Sequence, residues 1–345
     1  PVPPETAALV HRLASTTNDM AILGQCGLVL ESIVEQLPAK QQLWARLEPH
    51  LAASTLLASN TSTIPITRLA ASLQRPERFL GLHFFHPVLK RPLVEIIRGP
   101  KTADSAVAAA ASYVEAIEKV PLVVGDGPGF VVNRLLVPYL GESLELLLEG
   151  TSIEEIEAAT AQFGMAMGPL RLMDEIGLDT VLMGGRVLWE AFPDRVAPSP
   201  LLVSMYKSGR VGRKAGMGFF VYPPRESSPS NEPAPGVCEL IAEWAKPRAG
   251  LASDAIIIRL LLPMVLEATR ILDERRVDGP ASIDLAVTMG LGFPSSRGGL
   301  LRWADSLGPQ RLVAMLERLA HLGPRAQPTP LLVEMARGRR SFYPR

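Results

Sequence analysis

The sequence predicts an α/β unit with a largely parallel sheet, followed by an all-α part made of two copies of one helical module. Three observations carry this. Short apolar runs alternate with helical patterns up to residue 125, long amphipathic patterns follow, and the second helical block repeats the first.

In the α/β part, Leu28–Ser32, Leu56–Asn60, Phe79–Phe85, Leu93–Ile97 and Pro121–Val124 read as strands. Apolar residues on both faces of these runs fit a sheet covered on each side. Between them, Pro38–His50, Pro65–Leu73 and Ser105–Lys119 read as helices, the first with proline in its opening turn and Leu43, Trp44 and Leu47 at helical spacing. Beyond Gly125, helices are expected over Val131–Leu148, Ile153–Phe163 and Leu170–Phe192. A glycine-rich stop over Gly209–Gly218 and the run Phe219–Val221 follow. Residues 223–250, rich in Pro and Ser at their start, read as a linker, and a second helical block runs from Ala252.

The repeat has a definite register. Arg134-Leu-Leu-Val-Pro138 matches Arg259-Leu-Leu-Leu-Pro263 at an offset of 125, and Glu142 matches Glu267 at the same offset. Gly150 then meets Arg275, and Met167-Gly168-Pro169 meets Gly292-Phe293-Pro294; after six further residues Asp174 and Gly177 meet Asp305 and Gly308. Two such modules bury each other's apolar faces, so an intrachain pseudo-dimer is expected.

Composition narrows the classes of function. The chain has 345 residues, 47% hydrophobic and 20% charged, which excludes intrinsic disorder. Its 35 basic and 35 acidic residues cancel, so no nucleic-acid partner is expected. No apolar run reaches membrane-spanning length, since Ile256–Ala268 is broken by Arg259, Pro263 and Glu267. Two cysteines, Cys26 and Cys238, make no disulfide framework and fit a reducing, cytoplasmic setting. The five histidines form no ligand-spaced cluster, so no metal is expected.

Three segments can carry chemistry. Ser59-Asn-Thr-Ser-Thr63 lies at the carboxyl end of an apolar strand, where open α/β sheets bind ligands. Thr63 is read as the cap of the helix from Pro65, but a cap needs one hydroxyl, not this many polar groups. His83 ends one strand and Glu95 sits inside the next apolar run, so the two can meet across neighbouring strands. A carboxylate there is costly to bury unless paired, and a His–Glu pair suits general acid–base work; a purely structural ion pair is the plain alternative. Gly125-Asp-Gly-Pro-Gly-Phe130 lies between a strand and a helix. It lacks the third glycine of a dinucleotide-binding loop and reads as an interdomain turn, placing Asn133 at the start of the next helix.

Together these residues resemble one family. Ser59–Thr63, Gly81-Leu-His-Phe-Phe-His-Pro87, Pro92-Leu-Val-Glu-Ile-Ile97 and Pro128-Gly-Phe-Val-Val-Asn-Arg134 are similar to the L-3-hydroxyacyl-CoA dehydrogenases of fatty-acid β-oxidation. Gly212–Phe219 resembles the close of that family's first helical domain. Gly290–Gly299 resembles the second helical domain of multifunctional enzymes of the α-subunit type. The resemblance implies NAD-dependent oxidation of L-3-hydroxyacyl-CoA to 3-ketoacyl-CoA. It assigns His83 as general base, Glu95 as its partner, and Ser62 and Asn133 as groups that orient the reacting oxygen. Glu35, Lys40, Asn60 and Ser62 match positions that touch the dinucleotide. Ile258 stands where the first copy has Asn133, so the second copy is assigned to packing. Departures fall at His86, where the family has Asn, and at Leu89-Lys90-Arg91.

The implied organisation is a partial Rossmann-like NAD-binding domain over 1–125, helical copies over 126–222 and 251–345, and the linker 223–250. The chain begins at Pro1 with no strand and G-x-G-x-x-G turn ahead of residue 28, so an amino-terminal truncation that removes the first βαβ unit is expected. Acyl-CoA is the implied substrate. A thiolase subunit and an enoyl-CoA hydratase domain are the implied partners in an intact enzyme. A non-catalytic acyl-CoA-binding or scaffold remnant, and a 3-hydroxybutyryl-CoA dehydrogenase, stay open as alternatives.

Overall fold

The structure, a computed structural model, describes residues 20–196, 198–223, 232–246 and 251–344. The start of the chain, where a missing βαβ unit is expected, and residues 224–231 of the expected linker lie outside them.

Five strands form one sheet in chain order: β1 (Leu28–Glu31), β2 (Leu56–Ser59), β3 (Phe79–Phe84), β4 (Leu93–Arg98) and β5 (Val120–Gly125). Pairings β1–β2, β2–β3 and β4–β5 are parallel, but β3–β4 is antiparallel. The sheet is therefore mixed, because the short connection from Phe85 to Pro92 holds no crossover helix and returns the chain as a neighbour. Helices α1 (Leu37–Leu47), α2 (Ile66–Ala70) and α3 (Asp104–Ala116) cover it. On one face, Ala106, Ala110 and Val114 of α3 bury Leu56, Ala58, Leu80, Leu82, Val94 and Ile96. Two alanines in that stripe let the helix lie close to the β-branched and leucine side chains beneath. The other face, with Val29, Leu57, Phe79, Leu93 and Ile97, joins a core that continues into the helical part.

The helical part opens with α4 (Val132–Leu148), α5 (Ile153–Phe163), α6 (Pro169–Ile176), α7 (Leu178–Ala191) and α8 (Pro200–Lys207). The single helix expected over Leu170–Phe192 is two, because Gly177, at φ 96°, leaves the helical region between α6 and α7. Ser152 caps α5 through a reciprocal bond with Glu155. The expected linker also differs: its carboxyl half carries α9 (Val237–Trp244), whose Val237 is fully buried. Val237, Leu240 and Ile241 give that short helix an apolar stripe that the proline-rich neighbourhood obscures.

The second copy contains α10 (Ser253–Asp273), α11 (Pro280–Leu285), α12 (Leu300–Leu307), α13 (Pro309–Arg318) and α14 (Pro330–Gly338). α4 and α10 pack along each other and carry interior prolines at matched positions, Pro138 and Pro263. Their charges exchange reciprocally. Arg134 Nε donates to Glu267 Oε1 at 2.7 Å and its Nη1 to Glu274 at 2.7 Å. Arg259 Nε donates to Glu142 Oε1 at 2.7 Å and its Nη1 to Glu149 at 2.9 Å. The four acids and two arginines keep the 125 offset, so the pseudo-dimer is present within one chain. The six extra residues enter earlier than the sequence register suggests. Helices α6 and α12 begin 131 residues apart, so Gly168 corresponds to Gly299, not to Phe293.

A candidate active site at the sheet edge

His83 and Glu95 are register partners across β3 and β4, which puts both side chains on one face of the sheet. His83 Nδ1 lies 2.7 Å from Glu95 Oε2, and both side chains are buried. Glu95 is held from the other side as well: its Oε1 accepts from the backbone N–H of Val131 and Val132, at 3.1 and 2.9 Å. These are unpaired donors at the start of α4, whose dipole favours a carboxylate there. A buried Glu95 is thus paid for on both oxygens. The rings of Phe85 and Phe130 flank the imidazole, with centroids 4.5 and 5.8 Å away. Gly129 and Phe130, at φ 70° and 51°, turn the chain sharply enough to bring the start of α4 onto Glu95.

Asn133, one residue into the same turn of α4, points back to the sheet edge, and its Nδ2 donates to the carbonyl of Ser62 at 3.0 Å. The Ser62 side chain is exposed. Asn60 bridges strand ends, accepting from Phe84 N at 3.0 Å and donating to Ser32 Oγ at 3.1 Å. Glu35 organises the whole loop: its Oε1 accepts from Thr61 Oγ1, Ser62 N and Thr63 N, at 2.6, 2.9 and 3.0 Å. Burial pushes its pKa up, but these bonds and the charge of Lys40 outweigh that and hold it below the usual carboxylate value. Lys40 is fully buried, between Glu31 and Glu35, with Ile33 O at 3.3 Å. Its ammonium faces these groups rather than the surface.

One expectation fails here. Thr63 does not cap α2; its hydroxyl turns to Glu35. The cap comes from Asp126 in the interdomain turn, whose carboxylate accepts from Ile66 N and Thr67 N at 2.8 and 2.7 Å. The sequence offers Asp126 only as part of the interdomain turn and Phe130 only where a third glycine is lacking; neither is given a role in the site. An acid directly after a strand and before Gly-Pro-Gly was the available signal. Around this site the peptide bond His86–Pro87 is cis, and Lys119 Nζ ties the β3–β4 connection through Val88 O and Arg91 O, at 2.6 and 2.9 Å. Among the described residues no group of His, Cys, Asp and Glu is placed to hold a metal.

The model of the 3-hydroxyacyl-CoA dehydrogenase NAD-binding domain matches residues 3–127, and that of the C-terminal domain matches twice, over 129–222 and 256–341. The chain belongs to the 3-hydroxyacyl-CoA dehydrogenase family. The double match of one domain agrees with the repeat and with the reciprocal Arg–Glu pairs. A fatty acid oxidation complex subunit alpha of Pseudomonas syringae pv. tomato is 40% identical over 323 residues, 93% of this chain and 45% of that protein. The chain thus spans less than half the length of the curated relatives it matches. Among solved structures, a 3-hydroxybutyryl-CoA dehydrogenase of Escherichia coli aligns with a TM-score of 0.80 at 25% identity, covering 97% of this chain and 89% of that one. The dehydrogenase part of multifunctional enzyme 1 from C. elegans aligns at 0.65 and 30% identity, covering 92% and 73%. The family is one of oxidoreductases, and its amino-terminal domain is the NAD-binding one. No described helix of this dehydrogenase-family chain is long and apolar enough to cross a membrane.

Proposed function

We propose that the chain oxidises L-3-hydroxyacyl-CoA to 3-ketoacyl-CoA with NAD, as the dehydrogenase part of a larger fatty-acid oxidation enzyme. The observation that carries this reading is the buried His83–Glu95 pair at the sheet edge, with Glu95 bonded to the start of α4, where Asn133 donates to Ser62 O. His83 Nε2, which has no hydrogen-bond partner among the described residues, takes the 3-hydroxyl proton. Glu95 keeps the other proton on Nδ1 and offsets the imidazolium charge that forms. Ser62 and Asn133 orient the reacting oxygen so that the C3 hydrogen leaves in a defined direction.

The edge fits the nicotinamide end of NAD: exposed Ile33 and Val34 offer an apolar rim, and Ser62 and the part-exposed Glu35 offer hydrogen-bonding groups. When bound, NAD supplies the hydride acceptor. Glu35, Asn60 and Ser62 hold that end, and Lys40 sets Glu35 from beneath. The domain boundaries 1–125, 126–222 and 251–345, with 223–250 between, belong to the same reading; the gap between the two C-terminal matches supports them. A thiolase subunit and an enoyl-CoA hydratase domain are the proposed partners, supported by relatives named as subunits of an oxidation complex. The free thiols Cys26 and Cys238 support a cytoplasmic location.

The test is NADH formation from L-3-hydroxyacyl-CoA thioesters of short and long chain. Formation that falls about 10²–10⁴-fold in His83→Gln supports the reading. Acyl-CoA binding without NADH formation, both in this chain and in a form with the full length of its relatives, overturns it in favour of a non-catalytic acyl-CoA-binding protein.

A further inference from the structure

The second copy brings no counterpart of Asn133 to the site, since Ile258 occupies the matching position. It still reaches the frame of the site at two places. Gly290 lies against Leu93 and Val132, on the strand of Glu95 and the start of α4. The turn after α10 lies against the interdomain turn: Gly125 N donates to Arg276 O at 2.7 Å, and Arg276 Nη1 donates to the carbonyl of Asp126.

We propose that Arg276 is a positioning residue, which from the second copy holds the turn that sets Ser62 against Asn133. The inference rests on the dehydrogenase reading above. Asp126 is the node of that turn. Its backbone N–H donates to Arg98 O at 3.1 Å, its carboxylate caps α2, and its carbonyl takes the Arg276 guanidinium. The Ser62 loop leads into α2 on one side, and Gly129, Phe130 and Asn133 follow on the other. A shift of Asp126 therefore moves both ends of the 3.0 Å bond between Asn133 and Ser62, together with the donors on Glu95.

The arginine is not required for its own turn to fold. The first copy has Thr151 at the matching position, and it makes the same local bond: Thr151 N to Leu146 O and Arg276 N to Ile271 O are both 3.0 Å. The copies differ in what the side chain does, and only Arg276 reaches the interdomain turn. Its other partner is Glu274, at 3.4 Å, which Arg134 and Arg195 also face.

The test compares Arg276→Ala and Arg276→Lys with the unaltered chain, and with Arg340→Ala as a control on an exposed ion pair. Amide exchange over residues 62–68 and 125–133 is expected to quicken about tenfold in Arg276→Ala, with the melting temperature and exchange over α5 and α13 unchanged. kcat for L-3-hydroxyacyl-CoA is expected to fall about tenfold with KM nearly constant, and Arg276→Lys to restore most of both. Unchanged exchange over those two segments overturns the proposal. So does faster exchange spread evenly through the chain alongside a lower melting temperature. If the unaltered chain forms no NADH, the dehydrogenase reading fails while the exchange data still decide whether Arg276 holds the turn.

Discussion

Asp174 and Asp305, 131 residues apart, make the same clasp in the two helical copies. Asp174 accepts from Phe219 N and Phe220 N, both at 3.0 Å; Asp305 accepts from Phe342 N and Tyr343 N, at 2.8 and 3.0 Å. Each aspartate sits on a helix and pulls the module's closing segment back over it. The cation stacking is also repeated, with Arg171 over Phe220 and Arg302 over Tyr343. In the first copy, Gly218 is required beside the clasp, because a Cβ there would strike the Asp174 carboxylate.

Burial raises the Asp174 pKa from 3.8 to about 6, against the opposing pull of the Phe219 and Phe220 N–H groups. The folded chain then binds this proton more tightly than the unfolded chain. Its contribution to stability is greatest below about pH 4, declines as pH rises to about 6, and is flat above. The span corresponds to roughly 3 kcal/mol. Asp174→Asn removes this slope and costs about 1–3 kcal/mol at neutral pH, because the two N–H groups go to different carboxylate oxygens and the amide sets an NH2 donor against one of them. Thermal unfolding of both proteins from pH 4 to 8 checks this; parallel pH curves would exclude it.

The reciprocal pairs predict a non-additive cycle. Removing Arg134 alone leaves the buried Glu267 with Arg195 and Arg270, at 3.3 and 3.1 Å, among the described residues, and is expected to cost about 1.5–3 kcal/mol, less than a charge left wholly unpaired would. Arg134→Met combined with Glu267→Leu removes both buried charges and is expected to cost less than Arg134→Met by itself. Urea unfolding of the single and double variants measures the difference. Additive costs would mean the two side chains act independently.

What could be read beforehand followed the range of the interactions. The strands, the repeat and the His83–Glu95 pair were legible because apolar runs are local and a short connection forces β3 and β4 to be neighbours. The reciprocal arginines were legible only as a repeat; their exchange needed the two modules docked. Thr63 misled because a hydroxyl before a helix looks like a cap, while the true cap, Asp126, arrives from 59 and 60 residues away. Lys40 enters only through the resemblance, as a position that touches the dinucleotide, and its burial could not be read beforehand. Here Glu31 on the neighbouring strand and Glu35 together compensate its ammonium, and no local pattern announces that.

Glu95→Gln separates chemistry from stability. The glutamine must turn its carbonyl to the Val131 and Val132 N–H groups, since an amide N–H there would face two donors. Its N–H then points at His83 Nδ1, which must become the acceptor. The imidazole proton moves to Nε2, and the base is lost. kcat is expected to fall about 10²–10⁴-fold while the melting temperature changes little. Retained kcat with a lower melting temperature would make the pair structural instead.

Asn133→Ala tests whether the two copies differ in kind. Asn133 is half-buried and its visible bond is a single one to Ser62 O, so the change leaves the core intact. Without it the Ser62 loop loses its tie to α4, and the reacting oxygen loses a group that fixes its direction. kcat is expected to fall about 10–100-fold with unfolding nearly unaltered. Ile258→Asn makes the converse change in the second copy, where no His–Glu pair is at hand among the described residues, and is expected to add no activity while costing about 1–3 kcal/mol for a polar group set among apolar neighbours. Steady-state kinetics and thermal unfolding of both variants decide the matter: equal losses of activity from the two would contradict a site confined to the first copy.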